Sequence, residues 1–164
     1  EWYGALDFEY DMSIPNVAHL EPQRGGCCTI LPFFIDKMIE LPLTTTQDLS
    51  LFYILKDFSG SVWTRQLSSI VEAHGLASFL VHPDYLLEQR AQDCYNRLLE
   101  QLVRLRDSDR LWIALPGEVS DWWRLRSQMG LVAEENNWRI RGVGSERARI
   151  AYASLEGEDI AYTF

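Results

Sequence analysis

The middle of the chain alternates amphipathic helices with short apolar strands, and this alternation restricts the possible folds most strongly. Residues 61–74 and 85–107 carry apolar side chains at helical spacing, whereas 77–81 and 111–115 are apolar runs with the length of a buried strand. A third helix is predicted over 118–129. Helices and strands that alternate at this spacing predict βα units around a parallel sheet, either open or closed into a barrel.

The two ends of the chain have a different pattern. Residues 14–26 contain prolines, glycines and scattered polar groups, which predicts a long irregular loop. A short strand is predicted over 38–41, and one or two helical turns over 48–55. After residue 130 the sequence reads as short strands separated by turns, which predicts a small antiparallel β appendage. The predicted strands of this appendage cover residues 131–133, 138–141, 148–153 and 160–164.

Charge and hydropathy limit the classes of partner. The chain has 15 basic and 24 acidic residues, a net charge of −9. Because binding to a phosphate backbone depends on Lys and Arg, this balance predicts no nucleic acid partner and no binding to acidic membrane surfaces. No apolar run approaches the roughly 20 residues that span a bilayer, so no membrane span is predicted.

Three cysteines are present, and two of them are adjacent: Cys27, Cys28 and Cys94. An odd number with an adjacent pair argues against a disulfide framework, and no metal-ligand spacing occurs. Buried, reduced thiols are the prediction. Reduced thiols and the lack of a visible signal peptide favour the cytoplasm, although the chain starts at Glu1 without an initiator Met and the compartment stays open.

His82 is the strongest candidate for a catalytic group. It directly follows the apolar run 77–81 and precedes Pro83, so it lies at the carboxyl end of a predicted strand. Catalytic groups of βα folds gather at these strand ends, and histidine titrates near neutral pH. Asp84 could orient the imidazole or cap the following helix. An ordinary loop histidine fits the same pattern.

Other polar residues allow both structural and functional interpretations. Asp48 follows three threonines and could cap a helix or pair with a catalytic group. Glu40 interrupts an apolar strand, so its carboxylate must be paired, reach a cleft or lie at an edge. His74 suits a helix end, where it complements the helix dipole before Gly75. His19 lies in the long loop, where solvent exposure is favoured over a metal site.

Aromatic side chains are frequent and raise the question of a carbohydrate platform. Trp2, Tyr3, Trp63 and the pair at 122–123 are the relevant residues. The helical spacing around Trp63 and Trp122 favours core packing instead. Adjacent tryptophans also cannot share one helix face.

Five stretches together resemble one known family. Residues 6–13 read L-D-F-E-Y-D-M-S, like a strand that ends in Y-D-S-S, and residues 79–85 read F-L-V-H-P-D-Y, like a late strand that ends in histidine. Residues 21–35 and 40–48 resemble one bacterial branch, and 114–123 look like its final barrel helix. These motifs resemble the polysaccharide deacetylases, which are carbohydrate esterases similar to chitooligosaccharide deacetylase.

The resemblance implies an α/β fold: part of a distorted (β/α) barrel over residues 1–130, followed by the β appendage 131–164. It also implies removal of acetyl groups from an acetylated polysaccharide or oligosaccharide. In such enzymes a divalent metal, usually zinc, polarises the acetyl carbonyl and activates water. An aspartate acts as the base. His82 inherits the role of the acid that protonates the leaving amine, with Asp48, Asp11 and Asp84 as candidate supporting residues.

The chain departs from the family at the metal site. The T-F-D-D-G-like and H-x-x-x-H-like motifs that supply metal ligands are absent, as is the arginine–proline motif. We therefore expect no metal ligands from this chain, and an upstream segment or an oligomer partner that covers the open barrel edges. A non-catalytic relative that binds glycan or protein, and a plain α/β interaction domain, are the alternatives. Many members of the family are exported.

Overall fold

The computed structural model describes residues 6–16, 26–135 and 137–163 and shows a mixed α/β protein. The chain divides into two compact units, Glu1–Pro116 and Gly117–Phe164. The sequence predicts a boundary after residue 130, between the barrel part of the resembled family and the β appendage. That boundary stays a prediction. The described residues do not include Trp2, Tyr3, His19 or much of the loop predicted over 14–26.

A small three-stranded sheet opens the first unit. Its strands are β1 (Tyr10–Asp11), β2 (Phe33–Ile35) and β3 (Met38–Glu40), in the order β1-β3-β2. β1 runs parallel to β3 and β2 runs antiparallel to it. Because β3 is the central strand, all three of its residues are buried. The predicted strand over 38–41 is confirmed.

Two helices form most of the core of the first unit. α1 (Ser61–Glu72) and α2 (Gln89–Asp107) each bury one apolar face, as their periodicity predicts. A π-helical turn, Leu49–Ile54, adds two buried side chains to the same cluster. The buried members are Leu51, Phe52, Trp63, Leu67, Ala91, Cys94 and Leu98. No helix in the described ranges is long and apolar enough to cross a membrane.

The helix predicted over 85–107 begins later than expected. Pro83–Leu86 forms a separate 3₁₀ turn, and α2 starts at Gln89. Glu88 lies between them in an extended conformation (φ −82°, ψ 137°), which interrupts the helical hydrogen bonds. Leu87, an apolar residue within the helix predicted over 85–107, therefore lies outside α2 and is 81% exposed.

His74 lies at the carboxyl end of α1, as the sequence predicts, and forms part of the helix cap. His74, not Gly75, takes the left-handed conformation (φ 53°). Its amide donates to the Val71 carbonyl, and the Gly75 amide donates to the Ile70 carbonyl, which together form a Schellman cap. Gly75 is needed for a different reason, because a Cβ atom there would lie 3.1 Å from the Ile30 carbonyl oxygen.

The prediction of regular strands over 77–81 and 111–115 is wrong. Residues 75–82 and 111–115 form neither helix nor sheet ladder. None of the small sheets in the described part of the chain closes into a barrel. The physical reason is visible in the first segment, where buried threonine side chains take up backbone hydrogen bonds that a neighbouring strand would otherwise make.

The second unit consists of one helix and two antiparallel hairpins. The helix, α3, covers Pro116–Ser127, so its first residue is the last residue of the first unit. The hairpins pair β4 (Gly130–Glu134) with β5 (Asn137–Arg141), and β6 (Tyr152–Glu156) with β7 (Asp159–Thr163). The short antiparallel strands predicted for this region are confirmed. The strand predicted over 148–153 begins only at Tyr152, because a 3₁₀ turn, Ser145–Arg147, and an irregular stretch precede it. α3 lies two residues earlier than predicted.

The packing of Gly75 against Ile30 can be tested by adding a methyl group. We expect Gly75→Ala to lower the free energy of unfolding by about 1–3 kcal/mol, the usual cost of overpacking. The Ile30 carbonyl cannot move away freely, because it accepts a hydrogen bond from the Leu76 amide (2.8 Å). Gly130→Ala is the matched control, since nothing lies within 4 Å of its added Cβ. Equal denaturation midpoints for the two variants would contradict this packing.

Candidate functional site

The structure brings together two residues that are far apart in the sequence, His82 and Asp48. The imidazole Nδ1 lies 2.8 Å from Asp48 Oδ1. The Asp48 side chain is completely buried, whereas the His82 side chain is 45% exposed. This pair, which we call the dyad, therefore has one end fixed in the interior and one end open to solvent.

The Asp48 carboxylate also accepts two backbone hydrogen bonds. The Leu49 amide donates to Oδ1 (2.8 Å), and the His82 amide donates to Oδ2. Both carboxylate oxygens accept hydrogen bonds from backbone N–H groups. We infer that Oδ1 is also the acceptor in its contact with the imidazole, so that His82 Nδ1 is the donor. The Nε2 atom of His82 is then the ring nitrogen that remains for exchange with a ligand.

Three consecutive threonines hold Asp48 in position. The Thr44 hydroxyl donates to the Leu76 carbonyl (2.7 Å) and accepts from the Ser78 amide (2.9 Å). The Thr45 hydroxyl donates to the Ser78 carbonyl (2.7 Å). The Asp48 amide then donates to the Leu80 carbonyl (3.3 Å). Segment 44–48 is thus fixed alongside segment 76–82, and the dyad stands at the end of this arrangement.

The third threonine links the arrangement to α1. The Thr46 amide donates to Gln66 Oε1, and Gln66 Nε2 donates back to the Thr46 hydroxyl, each over 3.0 Å. The Thr46 carbonyl accepts from Trp63 Nε1 (2.7 Å). Trp63 is itself buried in the core, as its helical spacing predicts. Asp48 is therefore supported by the core of the first unit.

Tyr85 lies next to His82, and Tyr53 lies next to Tyr85; the sequence patterns identified neither tyrosine. The ring centroid of Tyr85 lies 5.2 Å from that of His82 and 4.8 Å from that of Tyr53. Tyr85 belongs to the 3₁₀ turn after His82, and Tyr53 to the π-helical turn after Asp48. Tyr85 lies three residues after His82 and Tyr53 five residues after Asp48. This spacing is the signal that the sequence offers for them.

The other two candidate supporting residues lie elsewhere. Asp84 is exposed in the first turn of the 3₁₀ segment and makes no hydrogen bond to His82 within the described ranges. Asp11 accepts from the Ser13 hydroxyl and lies opposite Glu40 in the small sheet. Of the three aspartates predicted to support His82, Asp48 is the one that touches it.

Glu40 is an unusual buried carboxylate. Its side chain is fully buried, and Oε1 accepts from the Ile14 amide (2.8 Å). Oε2 has no hydrogen-bond partner among the residues that the structure describes. Burial, together with the neighbouring charge of Asp11, raises the pKa of Glu40 against the opposing backbone hydrogen bonds from Ile14 and Ser13. Glu40 lies in the central strand of the sheet and not at an edge, and one of its two carboxylate oxygens is hydrogen-bonded.

The three cysteines differ in how far they are buried. All three cysteines are free, but only Cys94 is buried, while Cys28 is exposed and Cys27 half-buried. Burial raises the pKa of the Cys94 thiol. Over the described ranges, no group of three or more His, Cys, Asp or Glu side chains is placed to hold a metal ion. The residues that the structure describes therefore provide no ligand set for the zinc that the resemblance implies.

Comparison with known proteins adds no relative from which a function could be transferred. Searches against protein-family models, curated proteins and solved structures found no match to this chain. The function has to be argued from the dyad and the residues around it.

The raised pKa of Glu40 has a consequence for stability. The group favours the folded state most while it is protonated, below its ordinary pKa of 4.5, and this contribution is lost as pH rises through the raised pKa of the folded state. Glutamine is neutral at every pH, so Glu40→Gln should gain stability relative to the wild type as pH rises above 4.5. Urea unfolding at several pH values measures this difference.

A control for the Glu40 experiment is a carboxylate that carries the same charge on the surface. Glu72 is exposed at the end of α1. The difference between Glu72→Gln and the wild type should stay nearly constant over the same pH range. If Glu40→Gln also showed a constant difference, the buried carboxylate would not be the source of the pH dependence.

Proposed function

We propose that this chain is the later part of a polysaccharide deacetylase-like hydrolase that removes acetyl groups from an acetylated glycan. His82 is the general acid, and Asp48 is its positioning residue. The observation that carries this proposal is the 2.8 Å contact between a half-exposed imidazole and a fully buried carboxylate. A histidine held in this way is typical of proton transfer in acyl-group hydrolysis.

The proton transfer follows from the arrangement of the dyad. Asp48 accepts a hydrogen bond from the Nδ1–H group of His82 and stabilises the imidazolium. In that state Nε2 also carries a proton, which passes to the leaving nitrogen or oxygen as its bond to the acetyl carbon breaks. The ring returns to the neutral form with Nδ1 still bonded to Asp48. Zinc, where a deacetylase binds it, polarises the acetyl carbonyl, and we assign no step of this chain to it.

The exposed apolar side chains of the small sheet support a larger assembly. Leu6, Phe8, Met12, Phe34 and Ile35 are exposed on or next to β1 and β2. Apolar surface of this kind is usually covered by another segment or subunit. In our proposal the first unit belongs to a distorted (β/α) barrel, completed by an upstream segment or an oligomer partner that also supplies the metal ligands.

A second candidate function is a non-catalytic glycan-binding domain. The exposed Tyr53, whose ring lies against Tyr85, favours it, because tyrosines combine a flat apolar face with a polar edge. The two candidates differ in the role of His82: the first requires a proton from it, and the second requires only its contact surface.

Replacement of His82 separates these roles. In the whole protein, His82→Ala should lower the turnover number for acetate release from acetylated chito-oligosaccharides by about 10²–10⁴-fold, the usual contribution of general acid–base catalysis. The melting temperature should fall, because the buried Asp48 carboxylate loses its imidazole partner, so turnover is compared at a temperature where the variant is folded. Asp48→Asn should lower turnover as well and shift the pH–rate profile, because the imidazole loses its fixed orientation.

His74→Asn is the matched control for loss of a histidine, since asparagine tolerates the left-handed backbone at this helix end. Its turnover should equal that of the wild type. Full turnover in His82→Ala would reject the catalytic assignment, and so would a wild type that releases no acetate when divalent metal is supplied.

A further inference from the structure

The hairpin of β6 and β7 in the second unit presents an apolar surface to solvent. Four of its side chains share one side, because opposite residues and every second residue along a strand point the same way. They are Ala153 opposite Tyr162, and Leu155 opposite Ile160. Leu155 is 74% exposed, Ile160 61% and Tyr162 60%. We call these four side chains the apolar face.

The other side of the hairpin is the one that contacts the rest of the second unit. Tyr152 lies on that side, and its hydroxyl donates to Asn137 Oδ1 of β5 over 3.2 Å. Ala161, also on that side, is half-buried. A two-stranded hairpin is marginally stable by itself and normally needs a packed face. Such packing is expected on the apolar face, which is left exposed in the described part of the chain.

The two ends of this hairpin carry opposite charges. Its turn and the residues beside the turn supply three exposed carboxylates, Glu156, Glu158 and Asp159. Arg149 is exposed at the opposite end, three residues before β6 begins. A strand of five residues is about 17 Å long, so the acidic turn and the basic end are well separated.

We propose that the apolar face is the interface with a second copy of this chain. The two hairpins pack face to face about a twofold axis and run in opposite directions. Leu155 and Ile160 of one protomer then cover the alanine and tyrosine of its partner. This inference concerns the second unit and does not depend on the proposed function.

The pattern of charge selects both the partner and the orientation. With opposite directions, the acidic turn of each protomer lies beside the basic end of the other, so the face is complementary to itself. Parallel hairpins would instead bring the two acidic turns together, where like charges repel. With four apolar side chains from each protomer, the contact is smaller than the roughly 1,200 Å² of stable complexes. The dimer is therefore weak and forms as the protein concentration rises.

The apolar part of the contact is tested by sedimentation velocity of the 164-residue chain at increasing concentration. Ile160→Thr keeps a β-branched residue but loses apolar surface twice in a dimer, so it should raise the dissociation constant about tenfold. Val143→Thr is the matched control, because Val143 is 78% exposed but lies outside the hairpin, and it should dimerise like the wild type. Circular dichroism checks that each variant is folded.

The orientation is tested by reversing the charge of one end at a time. Glu158→Arg combined with Asp159→Arg makes the turn positive, and Arg149→Glu makes the other end negative. Each protein alone then brings like charges together and should dimerise about tenfold more weakly. An equimolar mixture of the two should form heterodimers, because both of its end contacts join opposite charges.

Three results would overturn this interface. The first is a wild type that stays monomeric at every concentration, and the second is an Ile160→Thr protein that dimerises as well as Val143→Thr. The third is a mixture of the two charge variants that associates no better than each variant alone.

Discussion

Hydrogen bonds from buried threonine side chains are the constraint on which the candidate site depends. Segment 76–82 has no regular strand partner, so its backbone groups need other partners in the interior. Thr44 and Thr45 supply them through the carbonyls of Leu76 and Ser78 and the amide of Ser78. A sheet ladder would have fixed only the backbone, whereas this arrangement also sets the position of Asp48 relative to His82.

The same constraint makes the site rigid on one side and open on the other. Asp48 is fixed by hydrogen bonds to both segments, and Thr46 connects it to Gln66 and Trp63 of α1. The imidazole of His82 is held at Nδ1 but stays half-exposed. Preorganisation of this kind lowers the entropic cost of placing a proton donor against a substrate.

The sequence predicted the elements of the core better than the site that they support. The periodicity of residues 61–74 and 85–107 identified α1 and most of α2, because one-sided burial leaves a strong pattern. It also placed His82 at the end of an apolar run and offered Asp48 as a charge partner. It could not show that the two meet, since they are 34 residues apart and the contact depends on tertiary structure.

The remaining errors have local causes. Buried threonines look like ordinary strand or turn residues in a sequence, so the loss of the strand over 77–81 leaves no signal. The π-helical turn changes the direction of each side chain relative to an α-helix, and helical periodicity therefore could not predict that Tyr53 points outward while Phe52 packs inward. The prediction placed Leu87 inside the helix, but Glu88 is extended and α2 begins only at Gln89, so Leu87 lies outside it.

The central claim is that Asp48 fixes His82 with its proton on Nδ1. The most direct measurement is the ¹⁵N chemical shifts of the His82 ring in protein labelled at histidine, recorded where the ring is neutral. We predict a protonated Nδ1 and an unprotonated Nε2 in the wild type, and a mixture of both tautomers in Asp48→Asn. A wild-type ring with its proton on Nε2, or with the same tautomer mixture as the variant, would contradict the dyad.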